Sequence, residues 1–162
     1  ISNNINDFLI NASGDIYIKG KFKGERLWRI AIANPFDKNK YLGFINLSDV
    51  CIITSGDYEK FVTDKNGINY HHILDPKTGY SAINNVHSVT VINKDPAKTD
   101  ALATAIFVMG EKKGIEIANS TNDVDVIIIS GDRSNYKIST SKNITFNKIE
   151  NDMYEFNYNP IK

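Results

Sequence analysis

Ser88-Val89-Thr90-Val91-Ile92-Asn93-Lys94-Asp95-Pro96-Ala97-Lys98-Thr99-Asp100-Ala101-Leu102-Ala103-Thr104-Ala105-Ile106-Phe107-Val108-Met109-Gly110 changes its period halfway along. Residues 88–92 form a β-branched run suited to a strand. From Ala97 to Met109 the apolar residues fall at Ala101, Leu102, Ala105, Ile106, Val108 and Met109, with no Gly or Pro between them. That spacing predicts a helix of about three to four turns with a broad apolar stripe. Asp95-Pro96 or Thr99 can cap its start, and Gly110 is a good stop.

Working outward, the rest of the chain reads as strands, with one further, weaker helix expected over Glu111 to Ala118. Phe8-Leu9-Ile10 and Ile16-Tyr17-Ile18 flank a tight turn at Ser13-Gly14-Asp15. Trp28 to Ile32, Lys40 to Leu47 and Val50 to Thr54 follow, the first ending before Pro35 and the last two parted by Ser48-Asp49. Phe61-Val62-Thr63 and Ile68 to Ile73 are joined through Asn66-Gly67, a dipeptide that supplies positive φ angles. Residues 74 to 86 carry Asp75-Pro76 and Gly79 and predict a loop. Val124 to Ile129 suits a buried strand, Gly131-Asp132 a turn, and short strands are expected near 135–139, 143–148 and 153–158. The prediction is one α+β domain over residues 1–162, mainly antiparallel sheet packed with a strong and a weaker helix.

Bulk properties exclude some functions. The 162 residues hold 19 basic and 19 acidic side chains, so no electrostatic footprint for nucleic acid follows. The one cysteine, Cys51, excludes an internal disulfide and sits in an apolar run. No charged leader with an apolar core opens the chain, and no apolar run is long enough to span a membrane. The start at Ile1 leads us to expect a processed or truncated piece.

Three features carry chemistry. His71-His72 lies in an expected strand, where neighbours face opposite ways, so at most one histidine enters a given site. A histidine in a strand is more often structural than catalytic. Ser55-Gly56-Asp57-Tyr58 leaves a strand where glycine lets backbone approach a ligand. Asp100 and Thr104, four residues apart, share one helix face. Their oxygens are hard donors of the kind Mg²⁺ or Ca²⁺ takes. The competing reading is that Asp100 merely complements the helix dipole and Thr104 packs or is solvated.

The order of these stretches decides between the readings. Ser55-Gly56-Asp57-Tyr58, His72-Ile73-Leu74-Asp75-Pro76-Lys77-Thr78-Gly79, Ser88-Val89-Thr90-Val91 and Asp100-Ala101-Leu102-Ala103-Thr104-Ala105 closely resemble, in order, four stretches of the C-terminal half of the ApbE family of FAD:protein FMN transferases. Asn11-Ala12-Ser13-Gly14-Asp15 is similar to a fifth, an N-x-G-G-[DN] turn. The resemblance runs from about residue 7 to about residue 145. Ser13 replaces a usual glycine, Lys60 a frequent arginine and Thr99 a usual alanine.

The resemblance implies an ApbE-like (T-fold-like) domain that transfers FMN from FAD, with Mg²⁺, onto a threonine of an acceptor protein and releases AMP. It implies Asp100 and Thr104 as metal ligands and His72 beside the reacting phosphate. Gly14, Asp15, Gly56, Asp57, Tyr58, His71, Asp75 and Gly79 are implied around the flavin nucleotide; for Asp75, a purely turn-forming role is equally open. Family members are roughly twice this length, so an N-terminal half with a further metal ligand is expected on a missing segment or a second chain. Two alternatives stay open: an FAD pyrophosphatase giving FMN and AMP, and a non-catalytic FAD-binding half. Relatives are usually extracytoplasmic and lipoprotein-anchored or periplasmic, which the resemblance extends to this chain.

Overall fold

In a computed structural model the described residues are 5–149, so the strand expected at 153–158 lies outside them. The strands are β1 (Phe8–Ala12), β2 (Asp15–Lys19), β3 (Trp28–Asn34), β4 (Asp37–Leu47), β5 (Val50–Gly56), β6 (Phe61–Thr63), β7 (Asn69–His71) and β8 (Val86–Asn93). Two helices follow, α1 (Pro96–Met109) and α2 (Glu111–Ser120), and then β9 (Asp125–Asp132), β10 (Asn135–Thr140) and β11 (Asn147–Lys148). Among the described residues every pairing is antiparallel. Six strands form the main sheet in the order β1-β2-β5-β8-β9-β10, β11-β4-β3 form a second sheet, and β6-β7 stand alone as a hairpin.

The main sheet is covered on both faces. Val89, Val91, Val126 and Ile128 pack with Ala103, Ile106 and Phe107 of α1 and Ala118 of α2. Their strand neighbours Ile92, Ile127 and Ile129 point the other way, against Ile30, Ile32, Leu42 and Ile45 of the second sheet. This two-sided burial explains why β9 reads as an unbroken apolar run rather than an alternation. Phe107 and Ile106 are fully buried, and each contributes about 1.5–3 kcal/mol by leaving water. Truncating Phe107 to alanine would cost roughly 3–5 kcal/mol.

The α1 cap is Asp95, whose Oδ1 accepts from the amides of Ala97 and Lys98 at 3.0 and 3.2 Å, with Pro96 in the first turn. Thr99 is instead buried, its hydroxyl donating to the Asp95 carbonyl. The inward face of α1 differs from the expected stripe: Thr99, Ala103, Ile106 and Phe107 are buried, while Ala101 and Met109 are exposed. Ala103 is fully buried in the core it shares with β8 and β9, so the sheet-facing side of α1 runs through Thr99, Ala103, Ile106 and Phe107. The chain turns at Gly110 (φ 84°), directly into α2.

One turn and one strand differ from expectation. β9 continues through Gly131-Asp132 and reverses at residues 133–134, where Asp132 Oδ1 accepts from the amides of Ser134 and Asn135. The strand expected over 143–148 shrinks to Asn147–Lys148 against Gly43 and Phe44. Among the described residues no helix is long and apolar enough to cross a membrane.

Candidate functional site

Antiparallel pairing puts Ile16 of β2 opposite Ile52 of β5, so Asp15 stands beside the segment leading to Ser55. On the α1 side of the sheet, Ser55 Oγ lies 3.3 Å from Thr104 Oγ1. Asp100, one turn earlier on α1, is exposed like Thr104. The Asp15 carboxyl is held above the usual carboxylate range, first by burial and second by the charge of Asp100. Two carboxylates and two hydroxyls therefore share one open flank of α1. Among the described residues neither carboxylate is paired with a cation.

That donor set suits a hard divalent cation. Magnesium takes one or two protein carboxylates and completes its shell with water and phosphate oxygens. Among the described residues no group of three or more His, Cys, Asp or Glu side chains is placed to hold a metal ion. Burial is the larger cause of the raised Asp15 carboxyl, and a cation would offset the second, the charge of Asp100.

The β6-β7 hairpin makes a separate feature. Its turn is held by Asp64 Oδ1, which accepts from the amides of Asn66 and Ile68 at 2.8 and 2.9 Å. Together with Leu74, Gly79, Tyr80 and Ser81 it encloses a hollow of about 710 Å³ that both histidines line. His71 and His72 differ sharply in what their rings can do. The Nε2 of His71 is 3.1 Å from the Ala82 carbonyl and so carries the hydrogen, leaving a buried Nδ1 with no partner. Its ring stands edge-on to Phe107 of the core. His72 has the opposite tautomer, because Nδ1 faces the Lys60 carbonyl at 3.1 Å. Its Nε2 is left as a lone-pair acceptor on an exposed side chain.

Asp75 builds the following turn. Its carbonyl accepts from Gly79 N at 2.8 Å, its Oδ1 accepts from Lys77 N at 2.9 Å, and Gly79 takes φ 73°. Gly14 does likewise in the β1-β2 turn, with φ 109° and an amide donating to Asn11 Oδ1.

Asp57 and Tyr58 lie elsewhere. Ser55 points toward α1, so Gly56 faces the opposite way, and a Cβ there would overlap the Tyr58 ring. Burial raises the Tyr58 hydroxyl above its usual range, offset in part by its hydrogen bond with Ser88. Asp57 Oδ2 lies 2.7 Å from His87 Nδ1. The structure thus gathers Asp15, Asp100 and Thr104 on one flank and His71, His72 and Gly79 around one hollow. It sets Gly56, Asp57 and Tyr58 in internal packing on the other face. Two neighbours carried no role in the sequence reading: Ser55, a hydroxyl within a recognisable stretch, and His87, a lone histidine with no signal in its surroundings.

A mainly antiparallel α+β domain thus bares oxygen donors beside a helix and holds an oriented, accessible imidazole beside the β6-β7 hairpin. The chain belongs to the ApbE family, whose model matches residues 1–128. It is 38% identical over 129 residues to the FAD:protein FMN transferase of Vibrio cholerae, covering 79% of this chain and 38% of that one. Against the transferase of Escherichia coli K12 it is 34% identical over 115 residues, covering 70% of this chain and 32% of that one. Among solved structures, the ApbE protein of Thermotoga maritima superposes with a TM-score of 0.74 at 34% identity, covering 84% of this chain and 43% of that one. The flavin transferase ApbE of Vibrio cholerae gives 0.72 at 36% identity, covering 87% and 44%. The chain therefore spans less than half the length of these relatives.

Proposed function

We propose that this chain is the metal- and phosphate-handling part of an enzyme that transfers FMN from FAD to a threonine of an acceptor protein, releasing AMP. The observation that carries the reading is the meeting of Asp15, Asp100, Thr104 and Ser55 on one open flank in a chain of the ApbE family. In this reading Asp100 and Thr104 hold Mg²⁺. A bound magnesium supplies Lewis-acid neutralisation of the charge that develops on the pyrophosphate.

His72 Nε2 takes the proton of the acceptor hydroxyl, which its fixed tautomer permits, while the Lys60 carbonyl keeps the ring in place. The threonine oxygen forms a bond to the FMN phosphorus, the pyrophosphate P–O bond breaks, and AMP leaves with the electron pair. His71 is unsuited to this step, since its only lone-pair nitrogen is buried. In the same reading, a further segment or a second chain supplies the remaining wall of the FAD site.

The test is to incubate the chain with FAD, Mg²⁺ and a threonine-bearing acceptor, following AMP release and acceptor mass, with Asp100→Ala as control. Flavinylated acceptor that vanishes in the control is the expected result. AMP without modified acceptor would replace the transferase reading with a pyrophosphatase. An absence of turnover that persists when the N-terminal half of a relative is added in trans would overturn both.

A further inference from the structure

His87 sits where three strands end, at a register irregularity between Val86 and Ser88 in the β8-β9 ladder. Both of its ring nitrogens face acceptors. Nδ1 is 2.7 Å from Asp57 Oδ2, and Nε2 is 2.6 Å from the Gly131 carbonyl. A carbonyl oxygen can only accept, and so can an ionised carboxylate. A neutral imidazole has one N–H, so one of these short contacts would set lone pair against lone pair. Only the doubly protonated ring donates to both. The groups facing it agree: Asp57 from the β5 exit, Asp132 beside Gly131, and the ring of Phe36 from the β3-β4 turn. The Asp132 carboxyl lies below the usual range, chiefly through Ser134 and Asn135, with His87 a smaller cause in the same direction. Among the described residues no cation other than His87 pairs with Asp57.

Residue 87 holds Asp57 twice, because its carbonyl also accepts the Asp57 amide at 3.3 Å. Two residues before Asp57 is Ser55, whose hydroxyl meets Thr104. A cross-brace at Asp57 therefore fixes the exit of β5 and, through it, the flank carrying Asp100 and Thr104.

We propose that His87 is a positioning residue, a doubly protonated cross-brace between Asp57 and the Gly131 carbonyl that sets the Ser55–Thr104 contact. Its importance for catalysis rests on the flavin-transfer reading; its protonation and its effect on Ser55 do not. The test is NMR of the ¹⁵N-histidine-labelled chain at pH 7, with the Ser55 and Thr104 cross-peaks followed in wild type, His87→Gln and Asp57→Asn. Two N–H-bearing ring nitrogens in wild type, loss of that signature in Asp57→Asn, and displaced Ser55 and Thr104 peaks in both variants are expected. A ring with one bare nitrogen, with the proton on the Asp57 carboxyl instead, would overturn the proposal. So would a doubly protonated ring whose removal leaves Ser55 and Thr104 unmoved, which would reduce it to a local tie. The wild-type spectrum and Asp57→Asn keep the question answerable if His87→Gln fails to fold. Neither measurement involves FAD, so failure of the transferase reading would leave this result standing.

Discussion

Glu111, at the first turn of α2, accepts three side-chain hydrogen bonds, and replacing it with glutamine makes a quantitative test. Its Oε1 accepts from Lys137 Nζ at 2.5 Å and Ser139 Oγ at 2.7 Å, and its Oε2 from Ser130 Oγ at 2.7 Å. Together, Lys137 first and then the serines, they lower the carboxyl from 4.5 to about 2. The difference of about 2.5 units corresponds to roughly 3.4 kcal/mol at 1.36 kcal/mol per unit. With 27% of the side chain exposed, solvent screening reduces that to about 1.5–2 kcal/mol. The folded pKa is depressed, so this stability is present above the unfolded value and is lost as pH falls from about 4.5 through about 2. Urea denaturation of wild type and Glu111→Gln should differ by about 1.5 kcal/mol at pH 7. That gap should shrink as pH falls below about 4.5, with little of it left at pH 2. Asp49, also lowered to about 2, chiefly by Lys19, is common to both proteins and cancels in the difference. A gap that stays constant from pH 7 to pH 2.5 would refute the reasoning, since it would then come from packing and not from charge.

Replacing His72 with alanine should cut flavinylation by about 10²–10⁴-fold with little change in melting temperature, whereas His71→Ala should lower stability by roughly 1–3 kcal/mol and spare turnover; the reverse pattern would exchange their roles. Ser13 sits at φ 56° in the β1-β2 turn, a conformation that costs a side-chain-bearing residue about 1–2 kcal/mol. After the greater entropy loss of glycine, Ser13→Gly should stabilise by roughly 0.5 kcal/mol, read as a small rise in urea midpoint at unchanged slope; a fall would show that the serine hydroxyl makes a needed contact.

The strands around Asn66-Gly67 and Ser13-Gly14 and the helix after Asp95-Pro96 were legible because alternation, turn chemistry and the 3.6-residue period are local signals. The inward face of α1 was not, since the sheet it lands on selects Ala103 and Phe107 over Ala101 and Met109. Residues of the site were legible as stretches and not as neighbours. That Asp15 and Asp100 oppose each other follows from the order β2-β5-β8 and from α1 lying on β5 and β8. That Tyr58 turns away from them follows from the side on which Gly56 lacks a Cβ. Such facts depend on contacts tens of residues apart. His87 is the extreme case, because each of its partners is 30 or more residues away.

The two-sided burial of β8 and β9 has a consequence for how the molecule breathes. Their amides lie in the centre of the six-stranded sheet and exchange with solvent only on global unfolding, and α1 is seated directly on them. The β6-β7 hairpin, with Phe61, Val62 and Tyr70 exposed, belongs to no larger sheet and is tied to the core through the His71 ring against Phe107, so it opens more readily than β8 and β9. Asp100 and Thr104 thus ride on the part of the protein that opens last, and His72 on a part that opens early. Deuterium uptake at the two should separate, and in the flavin-transfer reading a mutation that loosens the hairpin slows chemistry while leaving the carboxylate flank intact.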